Sequence, residues 1–134
     1  MLICDAAQEM GGKLFILGGG WSQIRLGAPG NPTNLALAIV VSVPWDLANK
    51  KFKFAAKLMD EDGGAVTSPD GQVIQAAGDL EVGRPTGLKA GTDLDVPVAL
   101  TFNGLPLEPG GYRWEVEVDG DQKAIAPFRV SAPG

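Results

Sequence analysis

One stretch constrains this chain more than any other: Pro109-Gly110-Gly111-Tyr112-Arg113-Trp114-Glu115-Val116-Glu117-Val118-Asp119-Gly120. Tyr112, Trp114, Val116 and Val118 share one face, and Arg113, Glu115, Glu117 and Asp119 share the other. A strict period of two reads as a half-buried β-strand. Pro-Gly-Gly turns the chain into it, and Asp-Gly closes it as a tight hairpin into the next strand. A tyrosine just inside such a strand, after a Gly/Pro corner, matches the tyrosine corner of immunoglobulin-like sandwiches, whose hydroxyl returns to backbone upstream. The expected partners lie within Leu105–Gly110.

The same alternation recurs along the chain. Leu2–Gln8 and Lys13–Leu17 read as strands around the turn Glu9-Met10-Gly11-Gly12, with Leu14 and Ile16 on one face of the second. Gly18-Gly19-Gly20 interrupts before Trp21–Leu26 resumes. Without a following helix start, three glycines are a bend where the strand changes partner or sheet, not a phosphate cradle. Gly27–Thr33 is a loop. Leu35–Val43 is apolar or small throughout, which predicts a strand covered on both faces. Pro44 ends it, and Asp46 is placed to cap a helical turn over Leu47–Lys50. Lys51–Asp60 alternates again, with Phe52, Phe54, Ala56 and Leu58 inward and Lys51, Lys53 and Lys57 outward. After Asp62-Gly63-Gly64 come a strand over Gln72–Val82 and a long loop, Gly83–Gly91. A strand lined by Leu94, Val96, Val98, Leu100 and Phe102 follows, where Pro97 marks an edge or a bulge. The last strand runs from about Gln122 to Ser131. Its apolar positions Ile125, Phe128 and Val130 change parity, which predicts a bulge near Pro127.

Together these segments predict one all-β domain over residues 1–134: a single-domain antiparallel immunoglobulin-like β-sandwich of seven to eight strands. Counting back from the C-terminus gives the order A to G with one extra N-terminal strand. In that topology Lys51–Asp60 and Tyr112–Asp119 are antiparallel neighbours, and their lysine and carboxylate stripes neutralise each other across the sheet.

Composition narrows function mainly by exclusion. The chain has 134 residues, a formal net charge of -5, no histidine and one cysteine, Cys4. The acidic balance disfavours nucleic acid, which calls for a positive face. Without histidine there is no Ser-His-Asp triad and no imidazole ligand. One cysteine allows neither an internal disulfide nor a Cys-rich zinc site, and Cys4 reads as a small buried hydrophobe. Asp60-Glu61-Asp62 lacks the spacing of a dedicated calcium loop and reads as a solvated turn. No cofactor or metal is expected, and an enzyme is not expected. Met1–Asp5 has no basic lead or apolar run of signal-peptide type, and no segment is long enough to span a bilayer. The expectation is a cytoplasmic protein without membrane contact.

Four segments, Leu17-Gly18-Gly19-Gly20-Trp21, Val43-Pro44-Trp45-Asp46, Glu81-Val82-Gly83-Arg84-Pro85 and Pro109-Gly110-Gly111-Tyr112, resemble a family of short bacterial proteins, many of them actinobacterial, known only as a domain of unknown function. The resemblance spans nearly the whole chain. It implies a stand-alone sandwich and carries over no site residue.

The binding candidates come from residues outside the core pattern: Trp45, Asp46 and Arg84. Trp45 and Asp46 follow the second strand of the A-to-G count, and Arg84 follows the fourth. In an immunoglobulin-like topology both loops, with the Asp119-Gly120 turn, lie at one end of the sandwich. Trp and Arg are the types enriched at interface hot spots. The structural alternative is that Trp45 plugs the core and Arg84 pairs with Asp46. Two function classes result. One is a non-catalytic interaction module for a protein partner or a second copy. The other is a sandwich binding a small ligand or carbohydrate on Trp45 or Trp21.

Overall fold

A computed structural model describes residues 1–28 and 32–133; the expected loop Gly27–Thr33 thus falls partly outside the described residues. The strands are β1 (Leu2–Met10), β2 (Lys13–Gly19), β3 (Gln23–Arg25), β4 (Thr33–Val43), β5 (Phe52–Asp60), β6 (Gln75–Leu80), β7 (Leu94–Leu105), β8 (Gly110–Val118) and β9 (Asp121–Ser131). They form two sheets, one ordered β2-β1-β4-β7 and the other β3-β9-β8-β5-β6. The fold is all-β, as expected, with nine strands among the described residues rather than seven or eight. The helical turn is a 3-10 turn at Trp45–Leu47 that starts after Pro44, so Asp46 lies inside it instead of capping it. No helix among the described residues is long and apolar enough to cross a membrane.

The additional strand comes from the glycine interruption. β2 belongs to the first sheet, and β3, a few residues later, pairs in the second. Gly18 and Gly20 take left-handed φ values of 59° and 87° between them. Side-chain-bearing residues resist that conformation, and it turns the chain from one layer to the other. β3 then runs parallel to β9, with Ile24 opposite Val130, the one parallel pairing among the described strands.

Leu35, Leu37 and Ile39 of β4 meet Phe54, Ala56 and Leu58 of β5 and Trp114 and Val116 of β8 in the core between the sheets. Trp114 is fully buried and its ring lies 4.4 Å from that of Phe102. The outward residues of β4, Ala36 and Ala38, are buried too, because Ala7 and Leu14 of the β1–β2 hairpin pack over them with Cys4. The hairpin pairs with β4 only through Leu2, Ile3 and Cys4, and then lies against the sheet's outer surface near β7. Small side chains at positions 36 and 38 let it approach. This accounts for the covered outer face through Ala38; beyond it the expected cover is missing, and the outward Val40 is 54 % exposed.

β5 and β8 are antiparallel neighbours, with Lys57 opposite Glu115, and Lys57 Nζ reaches Glu117 at 3.1 Å. The Lys53 N–H donates to the Asp119 carboxylate at 2.8 Å. Pro97 lies on β7, an edge strand. The strand expected at Gln72–Val82 is the shorter β6, on the outer side of β5. The bulge expected near Pro127 is not there. β9 alternates regularly with Ala124, Ala126, Phe128 and Val130 inward, and Ile125 points outward, 48 % exposed. The register shifts instead between Val116 and Glu117, opposite Gln122–Ala124. Small Ala124 and Ala126 hid the inward parity, and the larger Ile125 mimicked a core position.

Candidate functional site

The end of the sandwich that carries Trp45 is built by three chain reversals. Pro44 stops β4, since proline has no N–H for the ladder, and the 3-10 turn follows. Asn49 adopts a left-handed φ of 63° and its N–H donates to the Val82 carbonyl at 2.8 Å. That bond ties the segment after β4 to the segment after β6. Asp119 and Gly120, both with positive φ, turn β8 into β9.

This tie brings Arg84 onto Trp45. The guanidinium carbon lies 4.5 Å from the centre of the Trp45 ring. Arg84 Nε and Nη2 donate to the Trp45 carbonyl at 3.2 and 2.9 Å. A cation over an indole face is worth about 0.5–1 kcal/mol at exposed sites. The forked bond fixes the guanidinium plane as well as its charge. Trp45 is half-buried and Arg84 exposed. Neither structural alternative matches this arrangement: Leu47 and Ala48, not Trp45, join the core there, and Arg84 bonds to the Trp45 backbone rather than to Asp46. Asp46 is exposed beside the pair.

Next to it lies an apolar cleft of about 510 Å³, lined chiefly by Val41, Val43, Leu47, Phe52, Val118 and Ala124, with Asp119, Asp121 and Lys123 also in its lining. Its volume falls within the roughly 300–1,000 Å³ typical of ligand pockets. The cleft was not singled out from sequence. Its lining comes from five different segments, each reading as ordinary core, and only the spacing of the two sheets opens it.

The other candidates have structural partners. The Trp21 indole N–H donates to Asp5 at 3.1 Å and its ring meets Phe128 edge-on at 6.4 Å. Asp60 accepts from the backbone N–H groups of Asp62 and Gly64 at 3.0 and 2.8 Å and so closes its own turn. Glu61 reaches toward Arg129 at 3.8 Å. Cys4 is buried, and its thiol is held above the ordinary value by burial and, secondarily, by the neighbouring Asp5 carboxylate. Such a thiol is a poor nucleophile.

Sequence reading also passed over Phe15 and Leu17, which are 53 % and 71 % exposed on β2. The signal was present: four consecutive apolar residues, Leu14-Phe15-Ile16-Leu17, occupy both faces of a strand.

No curated protein and no solved structure matches this chain. Residues 1–131 match the model of a family of unknown function, DUF6941, and the chain belongs to that family.

Proposed function

We propose that this protein is a non-catalytic protein–protein interaction module, and that its recognition surface is the end bearing Trp45, Asp46 and Arg84. The observation that carries this reading is the Arg84–Trp45 stack, with the guanidinium 4.5 Å from the ring centre, beside an apolar cleft. A tryptophan held by a fixed guanidinium, with apolar surface and carboxylates in the cleft beside it, has the make-up of an interface hot spot. The strand order supports an immunoglobulin-like sandwich with an added N-terminal hairpin, a fold that commonly carries recognition on loops at one end. The formal net charge of -5 supports a protein partner over nucleic acid. A lone buried thiol suits a reducing compartment and supports a cytoplasmic place.

The test is the double variant Trp45→Ala, Arg84→Ala. It should melt close to the parent, because neither side chain belongs to the main core. Proteins copurifying with the parent from its native cytoplasm should be lost from the double variant. An unchanged set of copurifying proteins overturns the reading.

The cleft volume favours a second reading, a site for a small apolar ligand or sugar. The stack weighs against sugar binding, since Arg84 already covers one face of the Trp45 ring. Val41→Trp, at a half-buried position on the cleft wall, should abolish ligand binding and leave a partner held by Trp45 and Arg84.

A further inference from the structure

We propose that β2 pairs edge to edge with β2 of a second copy, antiparallel about a two-fold axis at Ile16, and joins the two first sheets into one. β2 is an edge strand of its sheet. An open edge presents unpaired N–H and C=O groups, and natural proteins blunt such edges with proline, charge, bulges or brevity. The other three edges are blunted in these ways. β7 carries Asp95 and Pro97, β6 is six residues long and carries Asp79, and β3 is three residues long. β2 is seven residues long, with Lys13 at its start as its one charge. Its centre is Phe15, Ile16 and Leu17, exposed by 53 %, 37 % and 71 %, and Met10 adds a 54 % exposed side chain at the start of the hairpin turn.

The occupant is a second copy because the strand complements itself. Ile16 is its midpoint. An antiparallel pair centred there sets Phe15 opposite Leu17 of the other copy, twice, and Ile16 opposite Ile16. Phe15, Ile16 and Leu17 all find partners, and the left-handed Gly18 lies outside this centre. In a continuous sheet, residues opposite each other must share a face, so the neighbouring registers move by two residues and leave strand ends unpaired. One of them also sets Lys13 against Leu17. In the central register Lys13 lies opposite Gly19, and the two lysines are roughly 20 Å apart, beyond the screening distance of physiological salt. Pairing this edge covers on the order of 1,000 Å² in total, the lower bound for a specific interface, so association belongs in the micromolar range.

The test is the mass of the full chain by light scattering from about 1 to about 100 μM, the range over which an interface of this size dissociates. The parent should approach twice the 13.9 kDa chain mass. Leu17→Lys should keep the parent's melting temperature and stay at the chain mass. Ile16→Cys should cross-link to a dimer under mild oxidation, since residues facing each other across an antiparallel pair have Cα atoms about 4.5–5.5 Å apart, within disulfide reach. Leu88→Cys, on an exposed loop outside both sheets, should not. Trp45→Ala, Arg84→Ala should dimerise like the parent, so this proposal and the preceding one fail separately. A parent that stays at the chain mass throughout overturns it. So does a dimer that survives Leu17→Lys, an Ile16→Cys variant that cross-links no faster than Leu88→Cys, or a β2 edge that captures a different protein instead of itself.

Discussion

Tyr112 and Trp114 sit two residues apart on the inner face of β8 and stabilise the fold in different ways. The Tyr112 hydroxyl accepts from the Glu108 N–H at 3.0 Å and donates to the Glu108 carbonyl at 3.2 Å, while its ring stacks on Phe128 at 5.7 Å. Tyr112→Phe keeps the stack and deletes both bonds. It should cost about 1 kcal/mol in a denaturant melt, the net worth of such bonding. The Trp114 ring is fully buried, but its indole N–H has no hydrogen-bond partner. Trp114→Ala should cost roughly 3–5 kcal/mol through the cavity it leaves. Trp114→Phe removes the orphaned donor along with part of the ring, so it should cost less than about 2 kcal/mol. A Phe variant as unstable as the Ala variant would show that the indole N–H is satisfied in solution.

The element that depends most on its neighbours is the β1–β2 hairpin. It covers Cys4, Ala36 and Ala38 with Ala7 and Leu14. Ala38→Leu should wedge it away from β4, at roughly 1–3 kcal/mol for overpacking. The same variant should make Cys4 react with a thiol reagent under native conditions, where the parent should react only on unfolding. The pH dependence has a definite sign. Folding raises the Cys4 pKa, so the unfolded chain ionises first. The thiol's contribution to stability is complete below the unfolded thiol's pKa and is lost as pH rises through the folded value. Alkaline titration of the parent should show this decline, and Cys4→Ala should lack it. At Gly18 an added Cβ would clash with the Asp5 carboxylate, on a backbone with a φ of 59°. Gly18→Ala should therefore loosen the turn between β2 and β3 and raise hydrogen exchange in β3.

At the scale of the whole molecule, the sheets are closed by contacts distant in sequence. β3 pairs with β9, joining Gln23 to Arg129, and β4 pairs with β7, joining Leu35 to Phe102. Loop closure must precede most of the stabilising contacts, so folding should take milliseconds to seconds, as in other sandwiches, and not microseconds. Stopped-flow tryptophan fluorescence reads this directly through buried Trp114. A dominant phase faster than about 100 μs would mean that the hairpins fold before the layers meet.

The amino-acid sequence alone determined the all-β class, the inward faces of β5, β7 and β8, and the Tyr112 corner. These rest on period-two alternation and turn chemistry, which act over a few residues. It also indicated that Gly18-Gly19-Gly20 marks a change of partner or sheet, because glycine tolerates conformations that other residues avoid; the structure shows a change of sheet. It failed at β9, where small alanines carry the core face and a large Ile125 points to solvent. Size and hydrophobicity are weak guides to direction when the true inward residues are small. Only the tertiary structure decided that Arg84 stacks on Trp45 rather than pairing with Asp46. That choice depends on the Asn49–Val82 bond, which joins two loops more than thirty residues apart. The apolar cleft and the unblunted β2 edge were likewise settled there, because a strand's position in the sheet and the gap between layers are properties of the assembled whole that no local pattern encodes.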